Sequence, residues 1–157
     1  MRPLPELTPA TEWFWTSGAD GHLRIQGCTA CGALVHPPVP ICPKCRSRKW
    51  EPTVVSGRGS VVGFTVNHHR WHPAFDPPYA IAMVALAEDP GVRLTTTILG
   101  CDPAEVHVGQ EVEVRFDELA QGVELSGQRR VGGDGRGSIR GLCVIVAGEA
   151  LDREGCR

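Results

Sequence analysis

The chain lacks the features that mark nucleic-acid-binding, membrane-spanning or exported proteins. Its formal net charge is −2 over 157 residues, with a pI of about 6.3, so no global positive field attracts nucleic acid. No apolar run reaches membrane-spanning length, and the N-terminus lacks the basic-then-apolar order of a signal peptide. We therefore expect a soluble protein of the reducing cytoplasm.

Aromatic residues are also scarce, at 6% of the chain, yet three are consecutive near the N-terminus. Thr8-Pro9 predicts the start of a short helix and Ser17-Gly18 its end. Successive helical residues lie about 100° apart around the axis, so three aromatic side chains cannot share one face. Either the following segment covers them or they anchor a protein interface. These candidate interface residues are Trp13, Phe14 and Trp15.

Cysteine, by contrast, is concentrated in two Cys-x-x-Cys pairs with ten residues between them. Four thiolates at this spacing can close around one tetrahedral zinc ion. Two disulfides would require an exported protein, and a redox dithiol would not need a second pair, so structural zinc is favoured. The intervening segment holds three prolines, which predicts a zinc ribbon rather than a finger with a helix. The predicted ligands are Cys28, Cys31, Cys42 and Cys45.

The two knuckles differ at the residue that follows each pair. Gly32 follows the first, where a positive φ is often needed, whereas Arg46 follows the second. The second knuckle therefore either tolerates a strained residue or turns differently. Four cations near it form a solvated face that offsets the negative zinc centre, or bind a phosphate-bearing ligand: Lys44, Arg46, Arg48 and Lys49. His36 is expected at the surface and not among the ligands, because four sulfurs already complete the coordination.

From Val54 onward the pattern changes to strands. Five strand candidates, a glycine-broken first strand and a connector between the third and fourth predict an OB-type barrel, although another small β-barrel also fits. The candidates are 54–66, 79–86, 93–99, 112–116 and 123–125, with the connector at 101–108. The predicted fold is thus mainly β: a short N-terminal helical segment (1–20), a zinc ribbon (21–52), a five-stranded OB-type barrel (53–126) and a flexible Gly/Arg-rich tail (127–157).

In this order the motifs resemble a family of acyl-CoA-associated proteins that join a rubredoxin-like zinc ribbon to an OB fold. The resemblance covers about residues 10–118. The chain departs from the family at Leu125-Ser-Gly-Gln-Arg, where members commonly end the last strand with Phe-x-Pro. The motifs are the aromatic helix, Leu23-Arg-Ile-Gln-Gly-Cys28, Cys-x-x-Cys-Gly, Pro37-Pro38, Cys-Pro-x-Cys, Ser56-Gly-Arg-Gly, Pro78-Tyr79 and Val108-Gly109.

The resemblance implies a companion role, because family members accompany thiolase-fold enzymes as subunits or fused domains. It implies a non-catalytic partner of a lipid-transfer-protein-like enzyme acting on acyl-CoA, a retro-aldolase of steroid side-chain degradation. The companion would stabilise the enzyme and help admit the CoA substrate, in a heterotetramer with two copies of each subunit. The alternatives are a single-stranded nucleic-acid-binding OB module and a stand-alone acyl-CoA-binding protein or hydrolase.

Candidate substrate contacts lie on the loop after the first barrel strand, because binding groups tend to sit on loops between rigid strands. A general base needs a positioned partner and a sheltered pocket, and a proline-rich loop indicates neither. We therefore predict contact with substrate or CoA and no catalytic residue. The candidates are His68, His69, Arg70 and Trp71, with Arg58 for a phosphate group.

Overall fold

The computed structural model describes residues 8–123 and 137–146 of the chain. Two compact units divide these residues. The ribbon unit holds residues 8–54, 116–123 and 137–141, and the barrel unit holds residues 55–115 and 142–146. In this part of the chain no helix is long and apolar enough to cross a bilayer.

The N-terminal helix, α1, is shorter than predicted and spans Glu12–Thr16. The predicted start at Pro9 with Thr8 as cap is wrong, because residues 8–11 form a separate turn. The amides of Thr11 and Glu12 both donate to the Thr8 carbonyl, at 3.0 and 2.8 Å. The hydroxyls of Thr8 and Thr11 bond each other at 2.9 Å, so the Thr8 side chain bonds within this turn.

The predicted helix end at Ser17-Gly18 also needs correction. A 3-10 turn over Ser17–Asp20 continues the helix to Gly21, whose φ of 80° ends it in the left-handed conformation. Gly18 is needed for packing instead, because a Cβ at this position would overlap the ring of Phe116.

A three-stranded sheet forms the body of the ribbon. Its strands are β1 (Leu23–Cys28), β2 (Leu34–Val35) and β3 (Trp50–Val55), in the order β2-β1-β3. Val54 and Val55 were predicted to open the first barrel strand, which is wrong because they end β3. The chain turns at Gly57, with a φ of 77° that favours glycine, and the barrel begins after it.

Five strands form the OB-type barrel: β4 (Arg58–Asn67), β5 (Tyr79–Leu86), β6 (Arg93–Leu99), β7 (Glu111–Val123) and β8 (Gly137–Val146). They are ordered β4-β5-β6-β8-β7. The bounds of β5 and β6 match the prediction, and the predicted connector contains a 3-10 turn at Pro103–Glu105. The strand pairing shifts register between Val61 and Gly63, which places a bulge beside one of the glycines that interrupt the first predicted barrel strand. The core packs around Val61, Ala80, Ala82, Val84, Ile98, Val106 and Val112.

The fifth strand of the barrel lies elsewhere than predicted. Residue 123 belongs to β7, and residues 124 and 125 of the predicted strand lie outside the described residues. The strand β8 falls within the predicted tail, so the prediction of a flexible segment is wrong for residues 137–146. The rest of the tail lies outside the described residues. This strand pairs in parallel with β6, with Ile98 opposite Val144. The two segments are far apart in sequence, so a local sequence pattern cannot predict that they pair.

Two glycines of β4 offer a matched test of barrel packing. A Cβ at Gly59 would overlap the carbonyl oxygen of Ala85 and the side chain of Val84, whereas one at Gly63 would meet no heavy atom within 4 Å. We expect Gly59→Ala to lower the free energy of unfolding by about 2 kcal/mol, because a backbone carbonyl cannot move aside cheaply. Gly63→Ala should change it by less than about 1 kcal/mol. Urea unfolding of both variants measures the difference, and equal effects would contradict the described pairing.

Candidate metal centre and barrel loop

Four cysteine sulfurs converge at one point of the ribbon, all within 4.8 Å of one another. The sulfur of Cys28 lies 3.6 Å from that of Cys45, and the sulfur of Cys31 lies 3.8 Å from that of Cys42. A tetrahedral ion with Zn–S bonds of about 2.3 Å requires sulfurs about 3.8 Å apart. The four free thiols therefore fit one zinc ion, and they are the four cysteines that the spacing predicts as ligands.

Both knuckles make the same backbone turn. The amide of Gly32 donates to the Cys28 carbonyl at 2.8 Å, and the amide of Arg46 donates to the Cys42 carbonyl at 2.9 Å. The φ angles match as well, at 72° for Gly32 and 62° for Arg46. Of the two alternatives for the second knuckle, the structure shows the strained residue.

The electrostatics of the thiols also suit a divalent ion. Backbone amides of Cys45 and Lys44 lower the pKa of the Cys42 thiol to about 6. The amide of Ser47 acts in the same direction on Cys45, but the neighbouring thiols outweigh it and raise the pKa of Cys45 to about 12. Sulfurs this close compete for negative charge, and a shared Zn²⁺ would stabilise all four thiolates.

A buried glutamine of β1 holds the proline-rich segment between the knuckles. Gln26 is 5% exposed. Its Nε2 donates to the carbonyl of Val39, and the amide of Val39 donates to its Oε1, both at 2.7 Å. The side chain thus makes the donor and acceptor bonds that a neighbouring strand would make, in a segment where prolines lack backbone donors. No local signal distinguished this glutamine from an exposed one.

The aromatic side chains of α1 are each partly covered. The Trp13 ring lies 5.5 Å from that of Trp50, and the Phe14 ring lies 5.0 Å from that of His36. Trp15 packs edge-on against Phe14 at 5.1 Å, and all three side chains remain half-buried. The prediction of a surface His36 is wrong, because this ring is half-buried and burial lowers its pKa. It lies outside the four-sulfur cluster, as expected.

The loop between β4 and β5 brings the predicted contact residues together on the surface. His68, His69, Arg70 and Trp71 are all exposed, with Trp71 at 76%. The Trp71 ring lies 4.6 Å from that of His69, and Arg70 forms an ion pair with Asp76 across the loop.

Asn67, which the sequence analysis missed, organises this loop from the end of β4. Its Oδ1 accepts a bond from the indole N–H of Trp71 at 2.9 Å. Its Nδ2 donates to the carbonyl of His69 at 3.1 Å and also to the Tyr79 hydroxyl. The Trp71 ring is therefore held in place while most of its surface faces solvent.

Arg58 stands apart from this arrangement. Its side chain is 72% exposed, and its Nε lies 3.9 Å from a carboxylate oxygen of Glu113. An exposed pair at this distance contributes little. Among the described residues, its side chain makes no hydrogen bond or ion pair with the four loop residues.

A four-cysteine ribbon followed by an OB-type barrel defines the class of zinc ribbon–OB-fold proteins. Two family models match successive parts of the chain, "ChsH2, rubredoxin-like zinc ribbon domain" over residues 15–51 and "ChsH2, C-terminal OB-fold domain" over residues 53–117. The chain belongs to the ChsH2/DUF35 family.

Relatives of this family differ in overall length. The chain is 34% identical over 114 residues to a "DUF35 domain-containing scaffold protein" of Pyrococcus furiosus, covering 67% of this chain and 81% of that one. It is 38% identical over 112 residues to the "3-oxo-4,17-pregnadiene-20-carboxyl-CoA hydratase alpha subunit" of Mycobacterium tuberculosis. That match covers 71% of this chain but 35% of the hydratase subunit, so the chain spans about a third of its length.

Among solved structures, this chain is similar to a chain of the "Ltp2-ChsH2(DUF35) aldolase". The TM-score is 0.74 at 29% identity, covering 92% of this chain and 99% of that chain.

We expect one zinc ion per chain by elemental analysis, and its loss in Cys42→Ser. Without the metal the ribbon should unfold while the barrel persists at least in part, because metal-binding energy is folding energy in such a module. Hydrogen exchange resolved along the chain measures both regions. Cys101→Ser is the matched control, since Cys101 is half-buried and outside the four-sulfur cluster. Freshly purified, unchelated protein without zinc would contradict the assignment.

Proposed function

We propose that this chain is a non-catalytic companion subunit of a thiolase-fold enzyme that acts on acyl-CoA. The observation that carries the proposal is the similarity to a chain of the Ltp2-ChsH2(DUF35) aldolase over 92% of this chain. Two relatives, from Methanocaldococcus jannaschii and Pyrococcus furiosus, are named scaffold proteins. These names favour a structural role over a catalytic one.

The metal site favours this division of labour. A catalytic zinc keeps a position open for water or substrate, whereas four cysteine sulfurs at this spacing complete a tetrahedral shell. The zinc is thus structural, and the reacting groups come from the partner enzyme.

The partner that the comparisons support best is a lipid-transfer-protein-like retro-aldolase of steroid side-chain degradation. One similar structure is named an aldolase, and one relative is named for a pregnadiene carboxyl-CoA. We propose a heterotetramer with two copies of each subunit, because a thiolase-fold dimer would take one companion on each protomer. In this assembly the companion stabilises the enzyme.

Substrate admission is the second role that we assign to this subunit. The β4–β5 loop presents Trp71 on a fixed support, so little side-chain freedom is lost on contact. Its exposed neighbours His68, His69 and Arg70 would line the entrance for acyl-CoA. The exposed guanidinium of Arg58, only weakly paired, would contact a phosphate group.

Co-expression with the thiolase-fold enzyme of the same genome tests the companion role. Light scattering of the purified material should give a mass of two copies of each subunit, and turnover should require both proteins. A chain that stays monomeric and turns over acyl-CoA unaided would contradict the proposal.

We expect the double variant Trp13→Ala, Trp15→Ala to weaken this assembly without loss of zinc. Burying one such ring against a partner contributes on the order of 2 kcal/mol, equivalent to a roughly 30-fold change in Kd. Titration calorimetry measures the affinity, and zinc content reports that the ribbon is intact. A folded double variant that binds the enzyme as tightly as the wild type would exclude α1 as an anchor.

We expect the double variant His69→Ala, Arg70→Ala to raise the KM of the complex for acyl-CoA while assembly is retained. Both residues are exposed on the β4–β5 loop, so the barrel core is untouched. His22→Ala is the control, because His22 is an exposed histidine of the ribbon unit. Steady-state kinetics of the purified complexes makes the comparison. If assembly, turnover and KM all stay at wild-type values, the loop is ordinary surface.

A further inference from the structure

The second zinc knuckle places an arginine in a strained backbone conformation, although a glycine would make the same turn without strain. Arg46 adopts a φ of 62°, the same left-handed conformation that Gly32 adopts in the first knuckle at 72°. Only glycine adopts this conformation without steric cost. Among the described residues, Arg46 is the one non-glycine residue with a positive φ.

Contacts within the fold do not explain the arginine. The side chain of Arg46 is exposed, and it forms no hydrogen bond or ion pair with residues 8–116, the part whose side chains the structure describes. Its backbone amide bonds to the Cys42 carbonyl, as any residue could. Backbone strain that the fold does not use is typical of functional positions.

The surroundings of Arg46 show what it would contact. We call the four exposed cations Lys44, Arg46, Arg48 and Lys49 the cationic knuckle. None of them forms an ion pair with a carboxylate of residues 8–116, although other arginines of the chain do, such as Arg24 with Asp20. Four like charges within six residues repel one another, so an acidic group would be bound favourably here.

Offsetting the negative zinc centre is the simpler explanation of this charge, but it leaves Arg46 unexplained. Lys44, Arg48 and Lys49 supply three positive charges from unstrained backbone. A glycine in place of Arg46 would keep these three charges and remove the strain. Charge compensation alone therefore does not explain an arginine at this position.

The exposure of the knuckle indicates the kind of ligand. From Pro43 to Trp50 every residue is exposed except the half-buried Ser47, so the segment lies at the surface of the ribbon. Small ligands bind in concave sites, whereas an exposed cationic turn complements an acidic surface. Trp50, 40% exposed and packed against Trp13, continues this surface with apolar area.

We infer that the cationic knuckle docks on an acidic surface of the partner protein, with Arg46 as the residue that determines the affinity. The inference rests on the companion role proposed above and adds the chemistry of the contact. The knuckle turn fixes the backbone of Arg46, so only its side chain has to be ordered on binding.

Replacing Arg46 by glycine separates this role from a structural one. The zinc-loaded Arg46→Gly variant should melt at a higher temperature than the wild type, because the strain is removed. Its Kd for the thiolase-fold enzyme should rise at least tenfold, and the dependence of Kd on salt should become shallower. Arg46→Lys, which keeps the charge without the planar fork, should bind with intermediate affinity.

Gly32→Ala is the matched control, since it introduces strain at the equivalent position without changing charge. It should melt at a lower temperature and bind the enzyme with wild-type affinity. If Arg46→Gly binds the enzyme like the wild type, the docking inference is overturned while the companion role stands. If the wild-type chain forms no complex, both are overturned. Inorganic pyrophosphate that stabilises the wild type but not Arg46→Gly, with enzyme binding equal in both, would replace the acidic surface by a phosphate ligand.

Discussion

The bonds from four cysteine sulfurs to one zinc ion are the constraint on which the ribbon depends. Its sheet is small, and β2 is only two residues long, so apolar burial alone would not hold it. The metal joins the end of β1 to the two knuckles, and the metal-binding energy becomes folding energy. The side-chain amide of Gln26 and the ring of Trp50, packed against Trp13, then stabilise a ribbon that the metal has already closed. Surface residues of this ribbon consequently have defined directions.

Local patterns predicted the parts of the structure that local physics determines. The spacing of the cysteines follows from the geometry of one tetrahedral ion, so the ligands could be named from sequence. The strands β5 and β6 have the expected bounds because uninterrupted strand-forming runs end at clear turn residues. The bulge near Gly63 follows from the same reasoning, since a glycine within a strand disturbs the ladder.

The features that were missed depend on partners distant in sequence. Gln26 is buried because Val39 needs a donor and an acceptor, and Asn67 organises its loop through Trp71 and Tyr79. The strand β8 has a β-branched sequence that favours a strand, but its place beside β6 is set by long-range pairing. The helix starts later than predicted for a local reason, because the hydroxyl of Thr8 bonds to the hydroxyl of Thr11 instead of capping the helix.

The two candidate contact surfaces differ in charge, and this difference separates their roles. On the barrel loop, Asp76 pairs with Arg70 and Asn67 satisfies the indole N–H of Trp71, so the loop presents a fixed aromatic ring beside exposed histidines and a charge-balanced arginine. On the ribbon, four cations have no carboxylate partner among residues 8–116. A neutral, fixed aromatic surface suits apolar contact, whereas unpaired cations accelerate association with an acidic surface and make it sensitive to salt. Under the companion role proposed above, the chain would act through these two surfaces, and one zinc ion fixes the second of them.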